Sequence, residues 1–205
     1  PQQNRPVLEK RPSTSDLRRS DDLASVGHDL VRTRAIEAHG RAERAGVRPR
    51  KTIVFSVSEN QASVLVRLFN RLLSDEDCLR IAEQIHRSPS EVRQSFAQKI
   101  TCYTNNGNPR PVIDEFKYDP LPLIAVSVDM LDTGYDQKDI ENLIMLRPTQ
   151  SPIKYAQMRG RGSRLCPKIG KEEFIIYDFV GNSKRFNDPG ERYDTPTRVG
   201  VAPGS

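Results

Sequence analysis

The sequence predicts an α/β domain: a mainly parallel sheet with helices on both faces and flexible flanks at either end. Three observations carry that expectation. Short apolar runs alternate with longer segments of helical periodicity through the middle of the chain. Those runs are continuously apolar rather than alternating, as expected for strands buried on both faces. The ends differ in kind. Residues 1–27 carry Pro1, Pro6 and Pro12, mixed charge and little apolar periodicity, and the last stretch is rich in Gly, Pro and charge. The expected organisation is an arm over 1–27, one folded domain over 28–182 and an exit linker over 183–205. No internal repeat is visible.

Taken in order, residues 28–45 can form a helix with Leu30, Val31, Ala35, Ile36 and Ala38 as its apolar stripe, stopped by Gly46 and Pro49. Thr52-Ile53-Val54-Phe55 is a β-branched, apolar strand. Ser58 can cap the next helix, in which Ala62, Leu65, Val66, Leu68, Phe69, Leu72 and Leu73 recur at helical spacing. A second helix is expected over Asp75–His86, with Leu79, Ile81, Ala82 and Ile85 inward. Ser88-Pro89 starts a third, serine as cap and proline at the first helical position. Gln98–Thr104 reads as a strand, and Asn105–Pro109 as a loop by turn chemistry. Val112, Ile113 and Phe116 suggest a short helix that Asp119-Pro120 breaks. Strands are expected over Leu123–Val128, Asn142–Leu146 and Phe174–Phe179. Ser151-Pro152 opens one further helix between the last two.

Composition narrows the function. The chain has 205 residues, 36% hydrophobic, with 15 prolines, which suggests that part of it is unpacked. Its net charge of +5 is unevenly placed. Residues 1–50 hold 11 Lys and Arg against 7 Asp and Glu, 51–180 hold 17 of each, and 181–205 hold 4 against 3. The central region is neutral, so overall basicity is no argument for a polyanion partner. Cys78, Cys102 and Cys166 are odd in number and widely spaced. They suggest neither a disulfide framework nor a zinc site, but a reducing cytoplasm. His28, His39 and His86 cluster with nothing, so no metal ligands are expected. No apolar run reaches the ~18–20 residues of a membrane helix. A start at Pro1 rather than Met suggests a fragment.

One stretch organises the rest: Gln157-Met158-Arg159-Gly160-Arg161-Gly162-Ser163-Arg164. If it is helical, Gln157, Arg161 and Arg164 project from one face. Two arginines there would suit phosphate oxygens, which a guanidinium engages bidentately. Gly160 and Gly162 would let the backbone approach a ligand or a neighbouring element. From Asn142 to Gly170 no residue is acidic, while Arg147, Lys154, Arg159, Arg161, Arg164 and Lys168 are basic. That one-sign stretch suggests a nucleotide or nucleic-acid partner.

In parallel sheets ligands gather where strands end. The candidate loops are Ser56-Val57-Ser58, Asp129–Asp136 and Arg147–Ser151. Asp136, after Gly134-Tyr135, could accept hydrogen bonds from a ribose hydroxyl. Asp129 and Asp132 read more simply as turn or cap residues. Serine hydroxyls suit phosphodiester contacts. No G-x-x-x-x-G-K-[ST] phosphate loop is present. Asp114-Glu115 belongs to a short helix and reads as surface rather than as a Mg²⁺ ligand pair.

Thr52–Phe55, Asp132-Thr133-Gly134-Tyr135-Asp136 and Gln157–Arg164 resemble, in order, motifs IV, V and VI of superfamily 2 helicases and translocases. The longer strings Val126–Asp136, Gln157–Pro167 and Phe174–Asn182 are similar to the motor (R) subunits of type I restriction endonucleases. The resemblance covers about 50–182.

It implies a second RecA-like domain, with ATP and Mg²⁺ held mainly by an upstream first RecA-like domain of the same parent chain. Arg161 and Arg164 would reach the γ-phosphate across the cleft, one of them as an arginine finger, with Gln157 sensing the same end. Gly134, Asp136 and Gly160 would line the nucleotide. Ser56, Ser58 and Ser127 would lie nearer the DNA backbone. Val128 departs from the pattern, since many relatives have Thr there to meet a phosphate. Double-stranded DNA and the specificity and methyltransferase subunits of a restriction complex are the implied partners. The isolated fragment is expected to be inactive. Two alternatives remain open: the same domain of another superfamily 2 DNA or RNA helicase, and a non-enzymatic nucleic-acid-binding module.

Overall fold

A six-stranded sheet in the order β2-β3-β1-β4-β5-β6 forms the spine of the computed structural model, which describes residues 50–131, 135–187 and the backbone of 197–200. β1 (Lys51–Phe55) sits between β3 (Ile124–Ser127) and β4 (Ile140–Met145) and is buried along its whole length. β2 (Ala97–Ile100) and β5 (Glu173–Asp178) flank that core pairing, and all five strands run parallel. Phe55 lies level with Ser127 and Met145, Ser127 with Ile100, and Met145 with Asp178. The carboxyl ends of the strands therefore form one continuous edge. β6 (Thr197–Gly200) adds an antiparallel edge strand to β5, so the expected exit linker contains a strand.

Strand alternation divides the core between two faces. On one face Val54, Val126, Ile144 and Tyr177 meet α1 (Glu59–Leu72), α2 (Asp75–Ile85) and α3 (Pro89–Ser95) through Ala62, Leu65, Phe69, Ile81 and Val92. On the other, Ile53, Phe55, Leu143 and Phe174 meet α4 (Arg110–Tyr118) and α5 (Pro152–Gly160) through Phe116, Tyr155 and Met158. The short α6 (Asn182–Arg185) follows β5, and Phe186 beyond it stacks on Tyr155.

The capping expectations are met. Ser58 accepts from Gln61 N at 3.3 Å, and Ser88 forms a capping box with Glu91 ahead of Pro89. α2 ends at His86 in the left-handed region (φ 54°).

Two local expectations need correction. Leu79 is 60% exposed and Cys78 is buried in its place. The stripe at helical spacing is Cys78, Ile81, Ala82 and Ile85, and Leu79 lies one step of about 100° off it. The strand expected over Gln98–Thr104 stops at Ile100. Thr104 donates its hydroxyl to Lys99 O and accepts from Thr101 N, which turns the chain before Asn105 and Asn106 enter the left-handed region. Asn tolerates that conformation better than most residues.

The expected arm 1–27, the expected helix over 28–45 and the residues Asp132, Thr133 and Gly134 lie outside the described residues.

Candidate functional site

The topology places those predicted site residues that are described on two opposite edges of the sheet. A helix that links neighbouring parallel strands must carry the chain back from the carboxyl edge to the amino edge. α5 does this between β4 and β5. Its first turn is therefore at the carboxyl edge, and Arg161 and Arg164, beyond its last turn, are at the amino edge. The acid-free stretch 142–170 is accordingly not one patch. It is split across the sheet, and acids from elsewhere in the chain meet each half.

At the amino edge the helix stops at Gly160, with Arg161 as its C-cap. Three successive short-range bonds follow: Arg161 N to Met158 O, Gly162 N to Arg159 O and Ser163 N to Gly160 O, at 3.2, 3.1 and 3.3 Å. They tighten the exit into a 3₁₀-like turn. The single helical face expected for Gln157, Arg161 and Arg164 therefore does not form, because Arg164 has left the helix. The turn leading into β4 brings the two arginines together instead. Arg161 donates through Nη1 to the carbonyl of Tyr135, and through Nε to that of Gln157 at 3.3 Å. Arg164 pairs with Asp136 at 2.5 Å, both side chains about half exposed.

Tyr135 anchors that turn. Its ring is buried and stacks against Phe116 with centroids 6.0 Å apart, and burial pushes its phenol pKa far above the ordinary value. Lys171, which sequence reasoning missed, ties the two halves. It is 3% exposed, and its ammonium donates to Gly162 O at 2.8 Å and Lys138 O at 2.9 Å. A Cβ on Gly162 would lie within 2.7 Å of three ring atoms of Phe174, whereas one on Gly160 would meet nothing within 4 Å. Gly162, not Gly160, is thus the position where close approach to a neighbouring element demands glycine.

At the carboxyl edge the predicted serines turn inward. Ser56 is fully buried and donates its hydroxyl to Gln61 Oε1 at 2.7 Å, an atom that also accepts from Val57 N at 2.7 Å. Ser127 is 1% exposed and accepts from Leu131 N at 3.1 Å. Ser58 is exposed, but its hydroxyl is the cap of α1. Ser56 and Ser127 are therefore buried, and each hydroxyl is engaged within the loops of this edge. Val128 packs partly buried against the α1–α3 face.

The charged groups exposed on this edge are others. Asp129, in the left-handed region at φ 59°, accepts through Oδ1 from both Arg147 and Lys154, the latter at 2.5 Å. Its partial burial would raise its pKa, but hydrogen bonds and charge from Arg147 and Lys154 outweigh that and hold the carboxyl below its ordinary value. Lys99 pairs with Glu59 at 3.0 Å nearby. The loop carrying Arg147 is itself clamped. Asn182, fully buried, donates to Arg147 O at 2.9 Å and accepts from Thr149 N at 3.0 Å. Asn182 had no signal in periodicity or charge.

Among the described residues no group of three or more His, Cys, Asp or Glu side chains could hold a metal ion, and no helix is long and apolar enough to cross a membrane.

A five-strand parallel core, paired arginines at one edge and charged loops at the other define a class. Residues 35–166, more than half of the chain, match the helicase conserved C-terminal domain, and the chain belongs to that family. Among its relatives are endonuclease subunits of type I restriction enzymes. It is 46% identical over 69 residues to the EcoKI endonuclease subunit of Escherichia coli K12, and 31% identical over 114 residues to the EcoAI endonuclease subunit of Escherichia coli. Those matches cover 34% and 54% of this chain but only 6% and 14% of the relatives. The chain thus corresponds to a small part of each. In fold it is similar to a fragment assigned to the HsdR subunit of a type I restriction enzyme from Vibrio vulnificus YJ016, with TM-score 0.60 and 24% identity over 86% of this chain and 32% of that one. The fold is the RecA-like one of helicase C-terminal domains.

Proposed function

We propose that this chain is the second RecA-like domain of the ATP-dependent DNA translocase in a type I restriction endonuclease R subunit. In this reading it offers Arg161 and Arg164 to ATP bound by an upstream domain and meets the DNA backbone at its other edge. The observation that carries it is the convergence of both arginines on the Tyr135-Asp136 turn at the amino edge. Two guanidiniums beside a carboxylate suit a nucleotide: the arginines for phosphate oxygens, the carboxylate for a sugar hydroxyl. Gln157 and Gly160, at the last turn of α5, lie beside them in sequence, and Gly134 immediately precedes Tyr135.

In that role the residues of this chain work by exchange of partners. Arg161 and Arg164 are satisfied by a carbonyl and a carboxylate when the domain is alone. They gain phosphate partners only when the two RecA-like domains close. Closure is then favoured by the nucleotide and lost after hydrolysis, so the domains alternate their grip on DNA. Mg²⁺, the phosphate loop and the base for water would belong to the upstream domain, and no Mg²⁺ ligand is assigned to this chain. The specificity and methyltransferase subunits would complete the complex in the cytoplasm, and the isolated domain would neither hydrolyse ATP nor cut DNA.

The test is DNA-stimulated ATP turnover of the full-length parent. Arg161→Ala and Arg164→Ala are each expected to slow it by orders of magnitude, about 10³–10⁵-fold for an arginine finger. DNA binding should survive both. Normal turnover in both variants would overturn the assignment.

A further inference from the structure

The carboxyl edge carries a basic pair, Arg147 and Lys154. Arg147 leaves the end of β4 and Lys154 sits in the first turn of α5, so two different elements bring them to one point. That point is a single oxygen, Asp129 Oδ1, which accepts from both. A carboxylate oxygen bridging an arginine and a lysine stands where a phosphate oxygen could stand, since both anions engage the same donors. The backbone favours the arrangement: the Asn182 clamp fixes Arg147 O, and Ser151 caps α5 by accepting from Lys154 N at 3.3 Å. The bridge is accessible, with the Asp129 side chain 56% exposed and those of Arg147 and Lys154 23% and 28% exposed. A DNA strand lying across the edge would reach it without unfolding the loop.

We propose that Arg147 and Lys154 form a clamp for a backbone phosphate of DNA, and that Asp129 is an internal anionic competitor which that phosphate displaces. This rests on the reading that the carboxyl edge faces DNA. It adds partly exposed cations to an edge where Ser56 and Ser127 are buried. It also gives Asp129 an effect opposite to that of an ordinary contact residue: deleting its charge strengthens binding. Because the competitor is part of the domain, it weakens the grip on every sequence equally. Such tuning suits a protein that must release the backbone in each cycle.

The experiment is equilibrium binding of the full-length parent to a short fluorescent duplex, titrated over about 50–200 mM salt. The variants are Asp129→Asn, Arg147→Ala with Lys154→Ala, and all three together. Glu76→Gln, on the exposed surface of α2, controls for net charge. Asparagine tolerates the left-handed backbone of position 129, so Asp129→Asn keeps the loop. Asp129→Asn is expected to bind about two- to five-fold more tightly, the scale of releasing an exposed ion pair. The double alanine variant is expected to bind more weakly and to lower the slope of log K against log salt by about 1. Adding Asp129→Asn to the double variant should then change nothing, because the competitor has lost its target.

The proposal is overturned if Asp129→Asn binds no better than Glu76→Gln, or tightens binding equally without the basic pair. It is also overturned if Arg147→Ala or Lys154→Ala raises the KM for ATP and leaves DNA affinity intact, which would make this a nucleotide site. A wild-type parent that binds no duplex would instead sink the functional reading, and this inference with it.

Discussion

Lys171 donates its ammonium to the carbonyl of Gly162 at 2.8 Å from a position that is 3% exposed. Its second bond, to Lys138 O, reaches the segment that carries Tyr135 and Asp136. One buried cation therefore sets the spacing between the arginine turn and the turn those arginines contact. Lys171→Met keeps most of the volume and removes both bonds. It is expected to destabilise the domain by about 1–3 kcal/mol, the cost of leaving a buried carbonyl unpaired. Urea unfolding measures this, and a stability equal to wild type would show that the two carbonyls find other donors.

Gly160 and Gly162 stand two residues apart and should respond in opposite senses. Gly162→Ala drives a methyl group into the Phe174 ring and should cost about 1–3 kcal/mol, the usual range for overpacking. Gly160→Ala meets open space in a helical position and should gain up to about 1 kcal/mol. Thermal unfolding of the pair decides it. Similar losses at both positions would mean that the packing around Phe174 is not the constraint.

Asn182→Ala removes two bonds from the loop between β4 and α5 and leaves Thr149 N buried without its acceptor. A loss of about 1–3 kcal/mol is expected. The same variant frees the backbone at Arg147, so amide exchange over 147–151 should quicken while that of β1 is unchanged. Uniform exchange rates across both segments would count against the clamp.

The three cysteines should label at different rates. Cys102 is exposed, Cys166 intermediate and Cys78 buried. Burial is the main cause that pushes the Cys78 thiol above its ordinary value, with Asp75 and Asp77 adding to it and Arg93 opposing. Alkylation of the native domain at neutral pH should modify Cys102 first and Cys78 only on unfolding. A folded value above the unfolded one gives stability that is present below the unfolded value and is lost as pH rises through the folded one. Stability should therefore fall on the alkaline side, and less so in Cys78→Ala than in wild type. Rapid modification of Cys78 in the folded protein would refute the burial.

Much of the architecture was legible in the chain because local physics specifies it. Thr52–Phe55 is continuously apolar because β1 is central and covered on both faces. Ser58 and Ser88-Pro89 announced their helices because capping is settled within three residues. Gly160 and Gly162 look alike in sequence as points of close approach, and only the Phe174 ring beside Gly162 separates them. Leu79 went wrong because one residue of phase is below what an apolar count resolves. The burial of Ser56 was not legible, because a hydroxyl near a strand end looks the same in sequence whether it faces solvent or Gln61.

By itself the sequence determined the order of β1–β5 and α1–α5, the caps and the Gln157–Arg164 string that marks the family. Each depends on residues near one another in the chain. Only the tertiary structure decided which charges meet. Arg161 and Arg164 meet Tyr135 and Asp136 from about 26–28 residues away. Arg147 meets Asp129 across 18, and Asn182 clamps a loop more than 30 residues upstream. A parallel crossover sends one helix from edge to edge, so it parts residues that are neighbours in sequence and joins residues that are not. Charge in a linear stretch is therefore no guide to charge on a surface.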